Sequence, residues 1–110
     1  MKAVRLRPRA GQDRRDEVRW YRGEAGPQVA TNLVKALHRA LTALARNPAI
    51  GSPSLGREIG IDGLRTWRID GFPLTFWYFE RADYVDVARL VGQRQDALRV
   101  DPDEPPSVSS

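Results

Sequence analysis

Residues 27–46 carry the feature that most constrains the fold, a large apolar residue at every third or fourth position. The series is Val29, Leu33, Leu37, Leu41 and Leu44, with alanines beside it. Apolar residues at this spacing form one stripe along an α-helix. Pro27 suits the first turn of such a helix, and Asn47-Pro48 is a natural stop. A helix with one apolar stripe has to bury it against a second layer.

Three β-rich segments later in the chain can supply that layer. Residues 64–70, 74–80 and 84–91 are rich in aromatic and β-branched side chains. Short turns at 71–73 and 81–83 join them, so we expect an antiparallel meander. Residues 93–100 are compatible with either a last strand or a short helical turn.

The N-terminal part predicts the remaining elements. Lys2, Val4 and Leu6 alternate with other residues before Pro8, which is typical of a short edge strand. Residues 10–23 predict a charged helix that forms an antiparallel hairpin with the helix over 27–46. The expected fold class is therefore α+β, with an N-terminal strand, an antiparallel helical hairpin and a three-stranded antiparallel meander.

The Pro- and Gly-rich residues 48–63 predict a long loop, with Ile50, Leu55 and Ile61 attaching it to the core. We expect residues 1–100 to form a single domain. The composition of residues 101–110 is typical of a disordered tail.

Composition excludes several classes of function. Cysteine is absent and histidine occurs once, so disulfides, thiolate metal sites and His-rich metal clusters are excluded. No Gly-rich phosphate loop and no Ser/His/Asp set is present, and we expect neither a metal nor a cofactor. The sequence has no apolar run of membrane-spanning length and no signal-peptide core, which indicates a soluble cytoplasmic protein.

The charge balance points to acidic partners. The chain has 18 Lys and Arg against 14 Asp and Glu, a net charge of +4. Three of these acids, Asp101, Asp103 and Glu104, lie in the tail, so the remainder of the chain carries +7. A basic body of this size attracts acidic protein segments or nucleic acid. The alternative is that the arginine content reflects only a GC-rich genome.

Arginines on the predicted sheet are the candidate site residues. Strand alternation places Arg65 on one face with Trp67 and Ile69, and Arg89 with Val85, Val87 and Val91. With Arg94 they would converge at one end of the sheet and form an anion site for carboxylates or phosphates. The alternative is internal pairing with Asp70, Asp86 or Asp96. The strand aromatics, Trp67, Trp77, Tyr78 and Phe79, could stack on bases, although core packing is their commoner role.

Four segments, in this order and spacing, resemble the RelE/ParE toxin superfamily of type II toxin–antitoxin systems. They are ALARNPAIG at 43–51, GLRTWRIDGFP at 63–73, FWYF at 76–79 and VARLVGQRQD at 87–96. The resemblance covers about residues 3–98. It implies an antitoxin whose acidic C-terminal segment folds over the toxin, and with it a toxin–antitoxin hetero-oligomer. The residues expected to contact a partner are Arg65, Trp67, Tyr78, Arg89, Arg94 and Asp96.

The superfamily divides by function. RelE-like members cut messenger RNA in the ribosome, and Arg65, Arg89 and Arg94 match only the arginine positions of that catalytic set. No Tyr or His follows Asp96. ParE-like members inhibit DNA gyrase by binding it, and the Gly-Phe-Pro turn and the Gln-Arg-Gln-Asp segment are similar to that branch. We therefore expect a ParE-like gyrase inhibitor that is not an enzyme. A ribosome-dependent endonuclease and a non-toxic basic binding module are the alternatives.

Overall fold

The computed structural model describes residues 1–92. The elements in chain order are β1 (Ala3–Leu6), α1 (Pro8–Ala25), α2 (Pro27–Arg46), a 3₁₀ turn (Pro48–Ile50), α3 (Ser54–Ile59), β2 (Leu64–Arg68), β3 (Leu74–Glu80) and β4 (Tyr84–Gly92). The predictions for residues 93–110, including the last strand or turn and the disordered tail, lie outside the described residues.

The four strands form one sheet in the order β1-β4-β3-β2. β2, β3 and β4 pair antiparallel, which confirms the predicted meander. β1 lies at the sheet edge, as expected, and pairs parallel with β4, with Ala3 opposite Tyr84 and Leu6 opposite Val87. The parallel pairing was not part of the expectation. It requires a long connection between the two strands, and the helical hairpin, α3, β2 and β3 all lie between them in sequence.

The helical hairpin covers one face of this sheet. Gly26 alone joins α1 to α2, and its φ of 94° is a conformation that glycine adopts at little cost. The core consists of fully buried side chains from α2 and the strands: Leu33, Leu37, Leu44, Phe76, Tyr78, Val85, Val87 and Leu90. The α+β fold predicted from the sequence is therefore confirmed.

Two local expectations need correction. The helix predicted over 10–23 begins earlier, at Pro8, and continues to Ala25. The expected loop over 48–63 contains the 3₁₀ turn and α3. Ile50, expected to attach the loop to the core, is 39% exposed. The Tyr78 hydroxyl contacts this segment instead, through the N–H of Gly51 and the carbonyl of Pro48.

Within residues 1–92, no helix is long and apolar enough to cross a membrane.

Candidate partner-binding site

The register of the sheet separates Arg65 from Arg89. Arg65 lies opposite Tyr78, which lies opposite Val87, so Arg65 shares the core face of the sheet. The next pair between β3 and β4 is Trp77 with Arg89, and Ala88 is an extra residue between the two pairs. This β-bulge puts Arg89 on the outer face, opposite to Val87. The prediction that Arg89 shares a face with Val85 and Val87 is therefore wrong, and Arg65 and Arg89 do not converge on one face.

Arg65 holds the segment that follows α2. Its Nη1 donates hydrogen bonds to the carbonyl oxygens of Gly51, at 2.7 Å, and Ala49, at 3.2 Å. Among residues 1–92, the acceptors of Arg65 are backbone carbonyls and not Asp70 or Asp86, two of the acids weighed as internal partners. Asp96, the third, lies outside the described residues.

Tyr78 fixes the same segment from inside the core. Its side chain is fully buried, its hydroxyl donates to the carbonyl of Pro48 at 2.7 Å and it accepts a hydrogen bond from the N–H of Gly51 at 2.9 Å. Burial raises the pKa of the Tyr78 hydroxyl above its usual value near 10. Tyr78 was expected to contact a partner, and the structure places it where no partner reaches it.

Arg89 joins the sheet to α1. Its Nε donates to Oδ2 of Asp13 at 2.7 Å, and the same carboxylate oxygen accepts the backbone N–H of Leu90 at 3.1 Å. β1 pairs with β4 only through Val87, so no strand among residues 1–92 pairs with this part of the β4 edge. Asp13 thus satisfies a backbone N–H of the β4 edge, as a neighbouring strand would do.

Three further predicted contact residues have different locations. Trp67 is partly buried and packs against the core, so only part of its ring can meet a partner. Arg94 and Asp96 lie outside the described residues. Of the expected partner-binding set, the described members therefore act mainly within the fold.

A second charged cluster lies on the outer face of the sheet. The guanidinium of Arg7 binds both carboxylate oxygens of Asp86 at 2.9 Å, and Arg81 binds Oδ2 of Asp86 at 2.9 Å. The hydrogen bond from Arg7 is the main reason that the pKa of Asp86 lies below its usual value, and Arg81 adds to the effect. Both guanidiniums also lie over the Phe79 ring. This cluster ties β1 to the turn between β3 and β4.

Among residues 1–92, a groove between α1 and α2, here called the hairpin groove, combines exposed apolar surface with basic side chains. Its volume is about 380 Å³. The floor is apolar and the rim is basic, and the lining residues are Arg14, Arg15, Val18, Arg19, Arg22, Val34, Leu37, His38 and Leu41. Val34 is 51% exposed, which leaves a branched apolar side chain open to contact.

The four arginines of the hairpin groove all belong to α1 and are all exposed. Among residues 1–92, Arg19 is the only one of the four with a carboxylate within 4.0 Å, at 3.6 Å from the exposed Asp16. Arg15 donates to the side chain of Gln12 within the helix. The groove therefore combines apolar surface with positive charge that internal acids barely neutralise.

The sequence patterns considered above did not predict the hairpin groove, although the spacing of the arginines in α1 indicates it. Positions 14, 15, 18, 19 and 22 recur at intervals of three and four, so they share one side of a helix. Four of these five positions are arginine. In the part of the chain that the structure describes, no three His, Cys, Asp or Glu side chains are grouped to hold a metal ion.

The fold and the groove define a class of protein, a small basic α+β domain with an apolar groove that arginines border. The sequence matches the family described as ParE toxin of type II toxin-antitoxin system, parDE, over residues 4–100. The chain belongs to this family of ParE toxins.

A solved structure has the same fold. The chain is similar to a protein of the chromosomal ParDE toxin–antitoxin system from P. aeruginosa, with a TM-score of 0.68 and 20% sequence identity. The match covers 82% of this chain and 94% of that one. No curated protein matches the sequence significantly.

Proposed function

We propose that this ParE-family toxin acts by binding DNA gyrase, without cutting RNA, and that an acidic segment of a cognate antitoxin neutralises it. The observation that carries the proposal is the placement of Arg65 and Arg89. Both arginines belong to the set that the nuclease alternative requires, yet they lie on opposite faces of the sheet.

The contacts of these two arginines support binding over cleavage. An RNA-cutting site needs guanidiniums aimed at the phosphate whose charge develops during the reaction. The Arg65 guanidinium donates to the carbonyls of Ala49 and Gly51, and the Arg89 guanidinium donates to Asp13. Gyrase inhibition by ParE-like toxins requires a binding surface and no such site. We expect the protein to act in the cytoplasm, where DNA gyrase is located.

We assign the antitoxin to the hairpin groove. A segment with apolar side chains on one side and carboxylates on the other would cover Val18 and Val34 and meet the arginines at the rim. Charge complementarity of this kind accelerates association and selects against basic partners. Such a segment orders as it binds, which is typical of partners that are disordered when free.

The test for the target is a pair of assays with the same purified protein. We expect the protein to block supercoiling of relaxed plasmid by gyrase and to leave transcripts intact in a translating extract. Cleaved transcripts that disappear with Arg65→Ala would instead establish the endonuclease alternative. A protein inactive in both assays and harmless on expression would be a non-toxic binding module.

The test for the antitoxin site uses the product of the reading frame next to the toxin gene. We expect Arg15→Glu combined with Arg19→Glu to weaken its binding at least about tenfold in calorimetry, because two attractive contacts become repulsive. Arg57→Glu combined with Arg68→Glu, at exposed arginines on α3 and β2, is the charge-matched control and should leave the affinity unchanged. Equal losses in both variants would show a general charge effect and refute the assignment to the groove.

A further inference from the structure

The chain contains a candidate occupant for its own hairpin groove. Residues 101–110 carry Asp101, Asp103 and Glu104 and no basic residue. They also carry Val108 and three prolines, which are apolar side chains suited to the groove floor. The groove offers the opposite charge, with four arginines around Val18, Val34, Leu37 and Leu41.

The end of β4 lies close to the groove. A Cβ atom on Gly92 would lie 3.1 Å from Oε2 of Glu17, so β4 ends against the middle of α1. Val18, the next residue of α1, lines the groove, about 100° further around the helix. A helix with its side chains is about 10–12 Å wide. The nine residues from Gln93 to Asp101 can span up to about 30 Å. The acidic residues can therefore reach every arginine at the rim.

We propose that residues 101–110 bind the hairpin groove of their own chain, with their carboxylates at the arginines of α1. Because the segment is tethered, it acts at a high effective concentration and can hold the groove with few contacts. If the antitoxin binds the same groove, as the proposed function states, the antitoxin must displace residues 101–110. Residues 101–110 would then lower the apparent affinity of every partner that needs the groove, by the same factor.

The sequence provides convenient probes for a test by NMR. It has no cysteine, so Ser107→Cys places a single nitroxide spin label in the full chain. His38 is the only histidine and lines the groove, so its ring signals report on that surface without ambiguity. We expect the label to broaden the His38 ring and the Val34 methyl signals strongly. The exposed Ile59 methyls on α3 should be much less affected.

Neutralising the segment provides the first control. Asp101→Asn, Asp103→Asn and Glu104→Gln in the labelled chain should reduce the broadening at His38 several-fold. Adding 1 M salt should reduce the broadening at His38 in the same way, because the electrostatic screening length then falls to about 3 Å. Uniform broadening over the surface, or broadening at His38 that neither change reduces, would refute the proposal.

Variants of the groove and a mixing experiment complete the design. Arg15→Glu with Arg19→Glu should remove the broadening, and Arg57→Glu should preserve it. A mixture of isotope-labelled protein without the spin label and spin-labelled protein without isotope enrichment detects contacts between molecules. In this mixture, broadening can arise only from a second copy of the chain. Equal broadening in that mixture would mean that the groove binds a second copy, against the proposal. The measurement uses neither gyrase nor antitoxin, so its failure and failure of the proposed function are distinguishable.

Discussion

Asp13 on α1 and Arg89 on β4 form an ion pair, with 2.7 Å between Oδ2 and Nε, where β1 no longer covers the β4 edge. Both side chains are largely buried, at 10% and 19% exposure. The residues are separated by 76 positions in sequence, so the pair fastens the first helix to the last described strand.

Asp13→Asn tests this connection. The change removes the charge opposite Arg89 and weakens the acceptor for the Leu90 N–H, so we expect a loss of about 2–4 kcal/mol in the free energy of unfolding. Urea denaturation measures it. Asp16→Asn, at an exposed position of the same helix, should cost under about 1 kcal/mol. A loss no larger for Asp13→Asn than for Asp16→Asn would contradict the role given to the pair.

Tyr78→Phe tests the link between the core and the segment after α2. The variant keeps the ring but leaves the Pro48 carbonyl and the Gly51 N–H without their hydroxyl partner, so we expect a loss of about 1–3 kcal/mol. Thermal and urea unfolding measure it. Tyr84→Phe, in a partly exposed position, is the control and should change stability little.

The dependence of stability on pH gives a second test of the buried Tyr78 hydroxyl. The pKa of Tyr78 is higher in the folded protein than in the unfolded chain. The stabilisation by the neutral Tyr78 hydroxyl is therefore complete below the pKa of the unfolded chain, near 10. This stabilisation is lost as the pH rises through the pKa of Tyr78 in the folded protein. We expect stability to fall above pH ~10 more steeply in the wild type than in Tyr78→Phe. Parallel curves would exclude this coupling.

Gly51→Ala tests the close packing at this point. A Cβ atom on Gly51 would lie 2.5 Å from the Tyr78 hydroxyl and 2.7 Å from the carbonyl oxygen of Thr66. We expect the variant to lose about 1–3 kcal/mol of stability, because neither neighbour can move freely. Gly23→Ala is the matched control. An added Cβ there meets nothing within 4 Å, and alanine favours the α1 helix, so stability should rise by about 0.5–1 kcal/mol.

Asp86→Asn should alter the acid side of the stability curve. The pKa of Asp86 is lower in the folded protein, so its stabilising effect is present above the ordinary Asp value of about 3.9 and is lost as the pH falls through the lower folded-state pKa. We expect the wild type to lose stability more steeply than the variant as the pH falls below about 4. Asp83→Asn, at an exposed turn position, should leave the wild-type slope unchanged. Denaturant midpoints at several pH values measure the difference.

Elements with strong local periodicity were predictable from the sequence. The bounds of α2 and β3 match those expected, because apolar spacing and flanking turn residues define both locally. The parallel pairing of β1 with β4 was not predictable in this way, since nothing within four residues of β1 specifies a partner about 80 positions away.

The candidate site was harder to predict, for a specific physical reason. One extra residue at Ala88 moves Arg89 to the other face of the sheet, and no local signal in the sequence marks a bulge there. The core role of Tyr78 depends on backbone groups 27 and 30 positions away. The arginines of α1, in contrast, follow helical spacing and could have been found by testing each predicted helix for charge on one side.

The position of β4 between β1 and β3 has a consequence during synthesis of the protein. On the ribosome, β1 emerges first, yet its partner strand is complete only when Gly92 has been made. The nascent chain can form the helical hairpin before β4 has been made, but it cannot assemble the complete sheet until Gly92 has emerged. A cell that makes this toxin can therefore bring an antitoxin close while β4 is still being made, before a folded toxin exists.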